Sequence, residues 1–203
     1  MEYITALFFL VAVIDPIGTV PVFLEATREF DKRTKRVIAF RASGVAFLVL
    51  LFFIVIGQVI LEGMEVSLQA FQISGGVILF LFALTMVFGE GKPARESNQI
   101  TDFKHVTIFP VAIPAIASPG AIMAVVLLTD NHIYSIEQQA VTTVLVLIVV
   151  ILTGILLLAA SRVQDWIGIY GITVISKIMG LILAAYAVQS ILKGLTDYFA
   201  AVT

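Results

Sequence analysis

The stretch Ala12-Val13-Ile14-Asp15-Pro16-Ile17-Gly18-Thr19-Val20-Pro21 sets an acid and two prolines inside an apolar run, Tyr3 to Leu24, that is otherwise long enough to cross a bilayer. Proline lacks an N–H and disfavours helix in the residue before it, so the run cannot be one continuous helix. Asp is a good N-cap and proline is favoured at the first helical position, so Asp15-Pro16 reads as the start of a second half-helix within the span. A matching break lies further along: Ala115-Ile116-Ala117-Ser118-Pro119-Gly120-Ala121-Ile122-Met123 aligns Pro119 with Pro16, and Ser118 takes the place of Asp15. Gly18, Pro21, Pro114 and Gly120 loosen the same two regions. In hydrocarbon an unpaired backbone group costs several kcal/mol, so two such breaks imply a sheltered polar site.

The rest of the chain bears out the membrane setting. Of 203 residues 60% are hydrophobic and 13% charged, where a soluble domain carries about 25% charged residues. Uncharged runs at 42–61, 66–89, 106–129 and 138–161 give four further spans, and 173–192, interrupted only by Lys177 near its start, gives a sixth. The expected fold is therefore all-α, a polytopic bundle of six transmembrane helices with the first and fourth broken. The N-terminus opens without a basic stretch or cleavage site, so the first apolar run is expected to be retained. There is no cysteine, hence no disulfide and no thiolate chemistry.

Eleven of the twelve basic residues fall in three alternate connections: Arg28, Lys32, Arg33, Lys35, Arg36 and Arg41; Lys92, Arg95 and Lys104; Arg162 and Lys177. Only Lys193 lies on the other side. The positive-inside rule places those connections in the cytoplasm and both termini outside, in a cytoplasmic (inner) membrane. Trp166 and Tyr170 on one side, and Tyr3, Tyr134 and Tyr198 on the other, suit interfacial belts. The basic cluster at 28–36 is short and mixed with Glu29 and Asp31, so it is expected to mark topology and not to bind nucleic acid.

The two breaks lie 103 residues apart, and Gly76-Val77-Ile78-Leu79 with Ala83 reappears as Gly180-Leu181-Ile182-Leu183 with Ala187 at an offset of 104. Two matches at almost one offset predict two three-helix repeats, 1–88 and 106–203, joined by a polar cytoplasmic linker, 89–105. Three crossings per half make the second repeat inverted, a plan common in secondary transporters. If the breaks meet, free N–H groups at the second half-helices suit a carboxylate and freed carbonyls suit an ammonium group or a cation, a pattern that fits a small zwitterion. The candidate solute-binding residues are Asp15, Pro16, Gly18, Thr19, Pro21, Ser118, Pro119, Gly120 and Ala121. Asp15, the only acid within an apolar span, either caps the half-helix or also carries a coupling ion, H+ or Na+. Gln58, Gln69, Gln72, Ser74, Thr85 and Gln189 either line a path or bond helix to helix, and Gly75-Gly76 and Gly180 suit close helix packing. His105 and His132 stand isolated at span ends, and neither H-E-x-x-H nor G-x-S-x-G occurs, so no enzyme, cofactor or metal site is expected. The alternatives are a channel lined by the same broken helices, for which no ring of charges or filter-like glycine run speaks, and a non-transporting membrane protein.

The paired motifs, Asp15-Pro16-Ile17-Gly18-Thr19-Val20-Pro21-Val22-Phe23 and Phe109-Pro110 through Ile113-Pro114 to Ser118-Pro119-Gly120-Ala121, resemble those of the MarC family of integral membrane proteins. The segment Lys177 to Ala184, followed by Ala187-Val188-Gln189-Ser190 and Lys193-Gly194, is similar to that family's last helix. The resemblance covers essentially the whole chain. It implies a six-helix inner-membrane protein whose transporting members, the SnatA-type proteins, move small neutral amino acids such as glycine and alanine. Expected partners are such an amino acid and the lipid bilayer, with homo-oligomerisation open. Coupling ion and direction of transport are open as well.

Overall fold

A computed structural model describes residues 3–88 and 103–202. The linker expected at 89–105 thus lies outside the described residues up to 102, while Phe103, Lys104 and His105 open a helix. Every described element is helical: α1 Tyr3–Ile14, α2 Thr19–Ala26, α3 Lys32–Gly63, α4 Leu68–Phe88, α5 Phe103–Val106, a wide-turned π-type helix Thr107–Ile116 (π1), α6 Pro119–Leu128, α7 Ile136–Leu158 and α8 Ala160–Val202. Among the described residues five helical segments are long and apolar enough to cross a membrane, the first being α1 with α2, and the bent pair ending in α6 makes a sixth.

Local chemistry starts and stops these helices. Asp31 caps α3 by accepting from the N–H groups of Arg33 and Thr34. Ser135 caps α7 in a reciprocal box, accepting from Gln138 N–H while the Gln138 side chain accepts from the Ser135 N–H. With 32 residues, α3 is about 48 Å long at 1.5 Å per residue and overshoots the hydrocarbon core. The excess is its basic first turns, which sequence alone had left outside the span beginning at residue 42. The fifth span likewise ends at Leu158 instead of residue 161. The segment beyond it is helical too, interrupted at Gly168, whose φ of +75° is a left-handed value that glycine adopts without a Cβ clash. Trp166 and Tyr170 flank that interruption, both exposed.

The broken spans sit at the centre. In the most apolar window of the first span 67% is buried, against 22% to 33% for the four other continuous spans. The remaining helices wrap the two broken ones in matched fashion: α3 lies on π1 and α7 on α1, α4 lies on α6 and α8 on α2. Counterpart also meets counterpart, α3 with α7 and α4 with α8. Glycines set the closest of these approaches. A Cβ on Gly76 would stand 3.1 Å from the Ala187 carbonyl of α8, and one on Gly180 3.1 Å from the Ala83 carbonyl of α4. Small residues let helices approach closely where lipid supplies no hydrophobic drive between them. Inside the ring Phe9 of α1 stacks on Tyr186 of α8, centroids 3.8 Å apart.

Candidate functional site

The first break keeps helical bonding up to Asp15, whose N–H donates to the Val11 carbonyl at 2.9 Å. Asp15 then turns to φ +49°, a left-handed value that Asp tolerates better than most residues. Its Oδ1 accepts the Gly18 N–H at 3.0 Å, as a cap does. The regular helix α2 nevertheless begins only at Thr19, with residues 16–18 forming a single turn. The expected start at Pro16 is thus displaced by one turn, because Asp15 departs from the extended backbone of an ordinary N-cap.

The second break follows the expected geometry. Ser118 is extended, Pro119 opens α6, and the Ser118 hydroxyl accepts the Ala121 N–H at 3.1 Å. What precedes it differs from the first break. In π1, Phe109 and Ile113 leave helical angles, each standing directly before a proline, which is where a proline pushes its neighbour into the β region. At the break itself, residues 117–118, the fourth span bends by 57° between its two parts.

The two breaks meet. The Thr19 hydroxyl lies 3.3 Å from the Ala115 carbonyl, as well as donating to the Asp15 carbonyl at 2.9 Å, and the Ser118 hydroxyl donates to the Val13 carbonyl at 3.4 Å. Asp15, Thr19 and Ser118 are at most 1% exposed, and Ala121 is fully buried. Pro16, Gly18 and Gly120 are buried with them, Pro21 is half-buried, and Pro119 is exposed on the outside of the break. A Cβ on Gly120 would stand 3.2 Å from Val13 Cγ1, so that glycine permits the close approach of α6 to α1. Sequence reasoning did not single out the carbonyls of Val13 and Ala115. The second was detectable, since Ala115 stands four residues before Pro119, which has no N–H to return to it.

The chemistry of the junction turns on one atom. Asp15 Oδ2 is buried without a hydrogen-bond partner. An ionised carboxylate in such surroundings costs several kcal/mol unless compensated. The position therefore suits a proton, an ammonium group or a cation. Among the described residues no three metal-ligating side chains gather together.

Two polar groups lie elsewhere than expected. Gln58 of α3 bonds across to the connection between α6 and α7, and His132, expected to be isolated, is bound there: its Nδ1 lies 2.8 Å from Gln58 Nε2 and 3.2 Å from Asp130 Oδ1. Asp130 itself is buried. By contrast, Ser74 and Thr85 are satisfied within their own helix by the Phe71 and Phe82 carbonyls.

Comparison with known proteins agrees with this architecture. The family described as MarC family integral membrane protein matches residues 1–199. A UPF0056 membrane protein of Methanocaldococcus jannaschii is 32% identical over 196 residues, covering 95% of each chain. A UPF0056 membrane protein of Buchnera aphidicola is 30% identical over 199 residues, covering 98% of each. The UPF0056 inner membrane protein YhgN of Escherichia coli is 31% identical over 194 residues, covering 96% of each. No solved structure matches the chain. With broken, buried spans at its centre and its length matched almost end to end, the chain belongs to the MarC family of integral membrane proteins.

Proposed function

We propose that this protein is a secondary transporter of small neutral amino acids, of the glycine and alanine type, working by alternating access between two inverted three-helix repeats. The observation that carries the reading is the unpartnered Oδ2 of Asp15, buried where the two broken spans touch. An acid held inside a membrane bundle marks a substrate or ion path by default. The matched packing supports the repeat: the contacts of α3 with π1, α4 with α6 and α2 with π1 have counterparts in those of α7 with α1, α8 with α2 and α6 with α1. The basic connections support cytoplasmic ends for those loops, with both termini outside.

The residues divide the work by their chemistry. The solute's ammonium group is taken by Asp15 Oδ2 together with the Ala115 and Val13 carbonyls. Its carboxylate is taken by the Ile17 and Gly120 N–H groups beside Pro16 and Pro119, since those of Thr19, Val20 and Ile122 already donate to the Asp15, Ile17 and Ser118 carbonyls. Some of that capacity is already used, because Asp15 holds the Gly18 N–H and Ser118 the Ala121 N–H. A Cβ on Gly18 or Gly120 would already clash here, so room for a solute opens only as the halves part, and the small groups at Gly18, Thr19, Gly120 and Ala121 limit its size. Burial of Asp15, Thr19 and Ser118 supports an occluding carrier over an open pore, since water has no continuous access to them in this conformation. The two bonds between halves, at 3.3 and 3.4 Å, are long for hydroxyl donors, and a solute bound between Asp15 and Ser118 replaces them as the halves rock apart. In place of the ammonium group, Asp15 Oδ2 takes the coupling ion, H+ or Na+, in the part of the cycle when no solute is bound.

Purified protein in liposomes is expected to take up labelled glycine or alanine saturably and to show counterflow when loaded with unlabelled solute. Ser43→Ala, which lies between α3 and α7 away from the junction, should transport as the parent does. Absence of uptake of every small neutral amino acid, under both proton and sodium gradients, would overturn the proposal.

A further inference from the structure

At the end of the bundle opposite the basic connections, α3 is tied to the connection 129–135 by side chains. Gln58 accepts the Asn131 N–H on its Oε1 at 2.7 Å, and its Nε2 lies 2.8 Å from His132 Nδ1 and 3.0 Å from Glu62 Oε1. On the other side of the ring Asp130 Oδ1 accepts the His132 N–H at 2.9 Å and lies 3.2 Å from the same Nδ1. Asp130 is 1% exposed, and its Oδ2 has no partner. The imidazole is 74% exposed, open to protons from water.

These contacts are incompatible with one another in a way that decides what they do. Nδ1 has one in-plane position, holding either a lone pair, which accepts from an amide, or a proton, which donates to a carboxylate. The Gln58 amide cannot turn to suit both cases, because its Oε1 is fixed by the Asn131 N–H. A bare Nδ1 therefore joins His132 to α3 through Gln58. A protonated Nδ1 faces the amide N–H₂ donor to donor and pairs with Asp130 instead.

We propose that His132 and Asp130 form a proton-binding site whose occupancy sets whether Gln58 ties α3 to the connection between α6 and α7 by two bonds or by the Asn131 bond alone. A proton from water adds to the imidazole, the imidazolium Nδ1–H donates to Asp130 Oδ1, and the bond from Gln58 Nε2 to the ring is lost while its Oε1 keeps the Asn131 N–H. Neutral imidazole has a choice of tautomer, and protonation removes it. The titratable groups around the ring are Asp130 on the same connection, Glu62 of α3 through the shared Gln58 amide, and Tyr134, whose N–H is held by the Asp130 carbonyl at 2.8 Å. Glu137 is exposed in the first turn of α7. Among the described residues no lysine or arginine contacts His132, so the exchange is between imidazole, amide and carboxylate alone. The second bond therefore holds on the alkaline side of the imidazole's protonation and is lost on the acid side. This inference does not rest on transport and is measured without any solute.

The test is amide exchange on the purified protein at pH 8 and pH 5.5, corrected for intrinsic exchange rates and read in peptides covering residues 129–135. In the parent, exchange there should quicken by about fivefold or more at the lower pH, the scale of one lost hydrogen bond. His132→Gln retains an acceptor for Gln58 and cannot charge, so its exchange should be the same at both pH values. Gln58→Leu should exchange fast at both, while the His132 ring nitrogens still titrate in ¹⁵N spectra. Equal parent exchange at the two pH values, or a pH effect that survives in His132→Gln, would overturn the proposal.

Discussion

The break at Asp15 and the break at Ser118 solve one problem with different chemistry. Each cap accepts the N–H three residues on, at 3.0 Å from Gly18 and 3.1 Å from Ala121. A serine hydroxyl does so and spends its own proton on the Val13 carbonyl, leaving nothing over. A carboxylate does so with one oxygen and has a second to spare, and that second oxygen is the unpartnered one. The backbone differs accordingly, extended at Ser118 and left-handed at Asp15. So do the prolines, since Pro16 is buried while Pro114 and Pro119 are exposed. The two breaks thus differ in kind: the one at Ser118 is satisfied by its own cap, and the one at Asp15 keeps an unpartnered carboxylate oxygen.

The sharpest way to break this comparison is Asp15→Asn. Asparagine keeps an acceptor for the Gly18 N–H and removes the ionisable oxygen, so stability should change by less than about 1 kcal/mol. Gradient-driven accumulation should be lost while exchange of solute across a balanced membrane persists. Accumulation at the parent level would show that Asp15 is a cap like Ser118 and nothing more.

Paired glycine substitutions come next. A Cβ on Gly18 would stand 1.9 Å from Asp15 Oδ2 and 2.6 Å from its Cγ. Gly18→Ala must therefore expel the carboxylate from its cap, at about 1–3 kcal/mol by the usual cost of overpacking. Gly120→Ala meets first the end of the buried Leu79 side chain, Cδ1 at 2.6 Å, which can rotate aside, and should fall at the low end of that range, about 1 kcal/mol. Thermal unfolding in detergent measures both, and a reversed order would mean that the second break is the tighter of the two.

Ser118→Ala should cost about 1 kcal/mol, the usual value for a lost N-cap, and should leave the gradient dependence of uptake intact. A loss of coupling comparable to that of Asp15→Asn would erase the proposed division of roles.

The smallest effect separates the caps of the two long helices that follow the breaks. Hydrogen bonds from the Thr34 side chain and the Arg33 N–H hold the Asp31 carboxyl below its ordinary value of 3.8. Because the folded value is depressed, this contribution is complete above the ordinary value and fades as pH falls through the lowered one. Ser135, capping α7, has nothing to titrate. Amide exchange in the first turn of α3 should therefore quicken on acidification below about pH 4, with the first turn of α7 unchanged.

Much of this was legible in the chain because the governing rules are local. Proline forbids a continuous helix at 16 and 119, Ser118 caps as its type prescribes, and runs of apolar residues must span because nothing else satisfies backbone in lipid. Boundaries were less legible where the cause was not local. Whether α3 begins at residue 32 or 42 depends on how far a basic helix projects beyond the bilayer, and hydropathy stops at the first charge. His132 sits in a connection at a span end, as its position leads one to expect, but its tie to Gln58, 74 residues away, leaves no signal in the spacing.

The sequence by itself determined the membrane class, the two breaks, their offset and the types of residue that cap them, since each follows from the covalent limits of proline and the cost of bare backbone in hydrocarbon. Tertiary structure alone decided that the breaks touch, that Thr19 and Ser118 reach carbonyls of the opposite half, and that one oxygen of Asp15 is left over. Those outcomes depend on how closely helices distant in sequence approach, and that distance is set jointly by all the side chains packed between them.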